Sequence, residues 1–262
     1  MTLKAITSKD NPVFKRLRSA LKENSGYKSD NHLWIEGENL CQSAIEKGLH
    51  FKEIILLDTV VERELDFWSK SAAQVYTMPQ NLLNALSQLP SATWVLGSLV
   101  ISDAHAIDPS GPIVVLDEVQ DPGNAGSIIR CAAAFGIRQI VTTPGSVSLW
   151  SPKVVRAGMG AHFSLQLIES VEIDELIHLS IPILLTDSHR GEFLHELSRQ
   201  QLLPTACLWV FGHEGRGVSQ NWQAENIHWV RITQPGGQES LNVAAAAAIC
   251  LHAYSSQRIE KF

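Results

Sequence analysis

The chain has 262 residues, 45% of them hydrophobic and 18% charged, with a formal net charge of −6; this is enough apolar material for one large or two modest folded domains and excludes a disordered or fibrous chain. Cys41, Cys131, Cys207 and Cys250 lie far apart among apolar neighbours with no C-x-x-C spacing, so they read as buried thiols in a reducing compartment. No apolar stretch reaches the length of a membrane span and the first residues lack a signal-like apolar segment, so a cytoplasmic protein without a membrane partner is expected.

The charge is uneven. Residues 1–30 hold seven Lys and Arg against three Asp and Glu, a local net charge of +4 that leaves −10 for the remainder. Such a basic arm fits an RNA-binding lead segment or, equally, a solvated amphipathic helix. Two β-rich runs follow, EIILLD (53–58) and QVYTMP (74–79), with helical patterns at 38–48 and 79–89, and together they predict a small α/β unit of about 100 residues. The Pro- and Gly-containing stretch 102–112 reads as a linker. The domains are therefore expected at 1–104 and 105–262.

Beyond the linker the strands are apolar without alternation: IVVLDEV (113–119), QIVTT (139–143), IPILLTD (181–187), CLWVFG (207–212) and IHWVRI (227–232). With helical segments between most of them, they predict a parallel sheet covered on both faces. Ligands of such sheets gather at the carboxyl ends of the strands, and four polar, glycine-containing loops follow strand ends there, at 117–130, 142–163, 211–219 and 232–242. The last of these leads into five consecutive alanines, 244–248. Alanine favours helix yet buries little area, so this helix is expected to press closely against another backbone beside a site.

In the first loop, Asn124 is placed to cap a helix beginning at Ala125, and Arg130 follows within two turns. Both side chains are expected near a helix N-terminus that favours an anion such as phosphate; a capped helix with a surface arginine is the plainer alternative. The third loop, FGHEGRG, has its glycines in the order G-x-x-G-x-G, which is not the dinucleotide fingerprint. Its bare backbone suits close approach of an adenine ring, and Glu214 is either a partner for a cationic or hydroxyl-bearing group or a solvated carboxylate. No metal-ligand spacing, Walker loop or nucleophile elbow is present, and lone histidines such as His162 and His213 read as structural.

Taken in order, NAGSIIR (124–130), FGHEGRG (211–217) and ITQPGGQESLNVA (232–244), with the intervening SPKVVRAGMGA (151–161), resemble the motifs of the SpoU/TrmH family of RNA ribose 2′-O-methyltransferases of the SPOUT class. The N-terminal part is similar to the family's substrate-binding domain, whose fold is like that of RNA-binding ribosomal proteins. The resemblance implies an α/β fold with a deep trefoil knot in the C-terminal parallel-sheet domain, an exception to the rule against threaded chains, and a homodimer formed through that domain. It implies S-adenosyl-L-methionine as cofactor, no metal, and structured RNA as substrate, ribosomal before transfer RNA. Asn124, Arg130, Glu214, Ser240 and Asn242 match the catalytic positions, and Gly212, Ile232, Gly236 and Leu241 the cofactor-binding ones. Lys15, Arg16, Arg18, Lys153 and Arg156 are the expected RNA contacts. His213, Thr233, Gln234 and Ala244 depart from the family's usual residues. The competing readings are a transfer-RNA 2′-O-methyltransferase, a base-nitrogen methyltransferase of the same class, and a non-catalytic RNA-binding or ribosome-assembly protein of the same fold.

Overall fold

The apolar runs of the sequence pair into two separate sheets in the computed structural model, which describes residues 3–22, 27, 31–60, 62–87, 93–101, 106–237 and 240–259. The chain divides into two units, Met1–Asp103 with Trp150–Arg156, and Ala104–Leu149 with Ala157–Phe262. The expected boundary at 104/105 lies outside the described residues.

The first unit contains β1 (Leu3–Ala5), α1 (Pro12–Lys22), β2 (His32–Glu36), α2 (Glu38–Glu46), β3 (Phe51–Leu57), α3 (Glu62–Lys70), β4 (Ala72–Met78), α4 (Gln80–Leu86) and β5 (Val95–Val100). The strand order is β1-β4-β3-β5-β2; β1, β4 and β3 run parallel, while β5 is antiparallel to both β3 and β2. The basic arm forms α1, with Pro12 at its first position and the Asn11 side chain accepting from the Val13 amide at 2.9 Å. Phe14, Leu17 and Leu21 fall on one helical face and are buried against Trp34, Ile55, Tyr76 and Met78, while Lys15 and Arg18 are exposed. Both sequence readings of the arm thus describe one helix: its apolar stripe packs and its basic stripe faces solvent.

The second unit contains β6 (Pro112–Asp117), α5 (Pro122–Ala134), β7 (Gln139–Thr142), α6 (Pro152–Gly158, which begins in the segment grouped with the first unit), β8 (Gln166–Ile168), α7 (Ile173–Ile177), β9 (Ile183–Thr186), β10 (Glu192–Phe193), α8 (Leu194–Arg199), β11 (Cys207–Gly212), β12 (Ile227–Arg231) and α9 (Val243–Ile259). Its seven strands form the expected parallel sheet, in the order β10-β12-β9-β11-β6-β7-β8, with every pairing parallel. Every residue of β11 is buried, which is why that run carries no alternation. Gly212 stands opposite Asp117 and Val230 opposite Thr186, so the carboxyl ends of β6, β11, β9 and β12 open on one edge. The alanine run forms the first turns of α9, which packs against α5, α8 and β11. Ala247 is fully buried there.

The helix after β6 begins earlier than its sequence suggested. Pro122 occupies its first turn and Asp121, not Asn124, is the cap, accepting from the Asn124 amide at 2.8 Å. Asn124 therefore sits inside the helix with its side chain free for other work. Cys41, Cys207 and Cys250 are buried, and burial pushes all three thiols up, Cys207 and Cys250 to about 12, so they are inert at neutral pH.

His162 is also buried, at 1% exposure, with Nε2 donating to the Leu149 carbonyl at 3.0 Å. A Cβ at Gly158 would overlap its ring, so the glycine makes the space. Burial pushes the imidazole from 6.5 down to about 4, against the opposing effect of the Leu149 bond. Between these two values the unfolded chain binds the proton and the folded chain resists it, so stability falls as pH drops through this window, by about 3 kcal/mol in all. Urea unfolding midpoints at pH 7 and pH 4.5 should show a smaller loss of stability for His162→Gln than for wild type. Equal losses would contradict the assignment.

Candidate active site

Three of the motif loops meet at the carboxyl edge of the second sheet through the side chains of Glu214, Asn124 and Asn242. Glu214 Oε1 accepts from Asn124 Nδ2 at 3.0 Å and from the Asp121 amide at 3.1 Å, and Oε2 accepts from the Gln120 amide at 3.4 Å. Asn124 Oδ1 in turn accepts from Asn242 Nδ2 at 2.9 Å. Asn242 also caps α9, its Oδ1 accepting from the Ala244 and Ala245 amides at 2.9 and 3.2 Å. Burial alone would raise the Glu214 carboxyl; the bonds from Asn124 and the backbone amides outweigh it and hold the group below the usual carboxylate range. Glu214 is thus an anion that organises the site.

A second carboxylate supports the same loops from below. Asp117, fully buried at the end of β6, accepts from Thr143 Oγ1 at 3.0 Å, the Ser219 amide at 2.7 Å and Trp222 Nε1 at 3.1 Å. These donors satisfy the charge that burial would otherwise penalise. The loop after β11 folds back over its own strand: His213 and Gly217 exchange backbone hydrogen bonds at 3.0 and 2.9 Å, and His213 Nδ1 accepts from the Gly215 amide at 2.9 Å. The imidazole does here what a short amide side chain does in a turn. A Cβ at Gly212 would overlap the backbone of Gly217 and Val218, so this glycine is required by the chain itself.

Beside this network lies a cavity of about 550 Å³, within the range of sites for small ligands. Gly212, Glu214, Ile232, Ser240, Leu241 and Asn242, all expected site residues, line it, and Ala246 of the alanine run forms part of its wall. Gly236 is exposed and outside the lining, and Arg130 and Asn124 are likewise not among the lining residues. Arg130 lies six residues beyond Asn124 on α5, about 9 Å further along the axis and about 240° around it, and its exposed side chain makes no bond to the Glu214–Asn124–Asn242 chain. It does not join Asn124 at the helix N-terminus as the spacing suggested.

Among the expected RNA contacts, Arg18 and Lys153 are exposed, and Lys15 pairs with Asp10 at 3.3 Å. Arg16 is held by Glu53 through two bonds of 2.9 and 2.6 Å, and Arg156 pairs with Glu36 at 3.3 Å. The sequence reading missed the loop after β9, whose Thr186, Asp187, Ser188 and His189 line the cavity. The signal was present, since TDSHRG is a polar run ending an apolar strand, but it carries no early glycine and leads into no long helix.

The profile of the SpoU rRNA methylase family matches residues 111–252, a span that contains all three loops. Over 257 residues the chain is 30% identical to a protein of Synechocystis sp. described as an uncharacterized tRNA/rRNA methyltransferase, covering 95% of this chain and 92% of that one. It is 26% identical to the 23S rRNA (guanosine(2553)-2′-O)-methyltransferase of Bacillus subtilis, covering 85% of this chain and 88% of that protein. A TrmH-family structure from Porphyromonas gingivalis superposes with a TM-score of 0.77 at 28% identity, covering 92% and 96% of the two chains.

The two glycines of the turn differ in what they tolerate. Gly212→Ala should cost about 1–3 kcal/mol in chemical unfolding, because the added methyl has no room. At Gly215 a Cβ would meet only the His213 ring at ordinary contact, 3.7 Å, so Gly215→Ala should stay within about 0.5 kcal/mol of wild type.

Proposed function

The chain belongs to the SpoU rRNA methylase family, and we propose that it transfers a methyl group from S-adenosyl-L-methionine to a ribose 2′-hydroxyl of structured RNA, ribosomal RNA in preference to transfer RNA. The observation that carries this reading is the joining of the three motif loops by Glu214, Asn124 and Asn242 beside one ligand-sized cavity. The lining fits an adenosine-bearing cofactor in its chemistry: Ile232 and Leu241 offer apolar contact, and Gly212 and its neighbours offer backbone. When bound, that cofactor supplies a methyl on a sulfonium, already activated for displacement.

The protein's task is then to align the ribose oxygen and assist loss of its proton. Asn124 is held by a bond at each end of its amide, and is positioned rather than free to rotate. Glu214 already accepts three hydrogen bonds and favours its charged form, which suits an organiser better than a base. Arg130 is exposed and makes no ion pair among the described residues, so it is available to an RNA phosphate. A guanidinium does not give up its proton in proteins, so its role is to hold phosphate and stabilise developing negative charge while phosphate or water takes the proton.

Residues 105–262 serve as the catalytic domain in this reading, and 1–104 as the RNA-binding domain of ribosomal-protein type, with Lys15 and Arg18 on the exposed face of α1 and Lys153 among its contacts. The deep knot is supported by the path of α9, which follows β12, on the far side of β9, yet returns to pack against β11 and α5. A homodimer is supported by an open, largely apolar groove of about 900 Å³ along α9, lined by Phe135, Leu194, Ala248 and Ala253, with Ile249 42% exposed. A cytoplasmic location accords with the free cysteines, and among the described residues no helix is long and apolar enough to cross a membrane.

Incubation with methyl-labelled cofactor and unmodified ribosomal and transfer RNA, followed by nuclease digestion, should place the label on a ribose 2′-oxygen of ribosomal RNA. Asn124→Ala should lower transfer by about tenfold or more. Arg130→Lys, which keeps the charge but loses the fork, should also lower it by about tenfold. Near wild-type transfer by Arg130→Lys would remove Arg130 from the phosphate-binding role.

A further inference from the structure

The charged side chains lining the cavity are two carboxylates and one guanidinium: Asp187, Glu214 and Arg216. Burial would raise the Asp187 carboxyl, but hydrogen bonds from the His189 and Arg190 amides and the Arg190 charge hold it below the usual range, as Asn124 and the backbone do for Glu214. The cavity therefore presents two negative groups and one positive group at neutral pH. S-Adenosylmethionine carries the reverse set: a sulfonium and an α-ammonium, both cationic, and one α-carboxylate.

Arg216 is the cationic residue of that lining. Its side chain is 66% exposed, and Nη2 donates to Glu118 Oε2 at 2.6 Å, the one side-chain bond it makes among the described residues. Nη1 and Nε keep their donors. The backbone beneath it is fixed, because the turn is closed by the His213 and Gly217 pair and the Arg216 amide donates to His213 Nδ1 at 3.3 Å. Glu118, which is not itself among the cavity's lining residues, thereby holds the guanidinium by one nitrogen.

We propose that Arg216 receives the α-carboxylate of the cofactor's methionine tail through the guanidinium nitrogens that Glu118 leaves open, an assignment that rests on the S-adenosylmethionine reading of the cavity. Neither Asn124 nor Arg130 of the first motif lines the cavity, and no other Lys or Arg does so among the described residues. Arg216 separates recognition of the amino-acid tail from recognition of the adenosine, which falls to Gly212, Ile232 and Leu241.

Two ligands that differ in the tail test this on the full-length protein. S-Adenosylhomocysteine retains the α-carboxylate, whereas 5′-methylthioadenosine lacks the whole amino-acid moiety. By titration calorimetry, Arg216→Ala should weaken S-adenosylhomocysteine by about 10- to 100-fold, the range of a charge-assisted hydrogen bond, while leaving methylthioadenosine within about twofold. Arg216→Lys, which keeps the charge without the fork, should fall between. Wild-type affinity of Arg216→Ala for S-adenosylhomocysteine would overturn the proposal and, if the RNA KM rose instead, would give Arg216 to an RNA phosphate. Equal weakening of both ligands would also overturn it, by showing that the substitution collapses the turn. Failure of the wild-type protein to bind either ligand would remove the cofactor reading itself.

Discussion

The Glu214 carboxylate is the interaction on which the site depends. It lies on the loop after β11, yet the amides of Gln120 and Asp121 and the Asn124 side chain, 90 to 94 positions earlier in the chain, all donate to it. Asn124 passes the connection on to Asn242, which caps α9. One anion therefore fixes the β6–α5 loop, the β11 loop and the start of α9 relative to one another. Hydrogen bonds to an ionised acceptor are stronger than neutral ones, which suits a single side chain to this joining role.

The layers beneath make that arrangement reachable. Parallel pairing in register brings the ends of β6 and β11 side by side, with Asp117 opposite Gly212. Asp117 then anchors Thr143, Ser219 and Trp222 from a fully buried position, so the loops rest on a satisfied charge and not on an apolar floor. Gly212 lets the following turn fold directly over the strand end. The alanines of α9 keep its first turns thin where they wall the cavity at Ala246 and pack at Ala247.

The strands of the second unit were readable because burial on both faces leaves a run such as CLWVFG without polar interruptions. β5 was not read: Gly97, whose Cβ would overlap the Phe51 ring, interrupts the apolar signal of a strand that packing nevertheless forms. Motif order located Glu214, Ser240, Leu241 and Asn242 at the cavity and Asn124 beside it, but spacing misjudged what six residues of helix do to Arg130. The misplaced start of α5 has the same origin. Asp121 and Asn124 are both good caps in sequence, and only the backbone shows that Pro122 already belongs to the helix. The loop after β9 escaped notice because its contribution arises from sheet order, which puts β9 next to β11, and not from any local pattern.

Hydrogen–deuterium exchange with and without S-adenosylhomocysteine tests most directly that these loops form one cofactor site. The account predicts added protection in three separated segments together, residues 187–190, 212–217 and 240–246, with the first unit unchanged. Bound ligand that protected none of these segments, or only one of them, would contradict it.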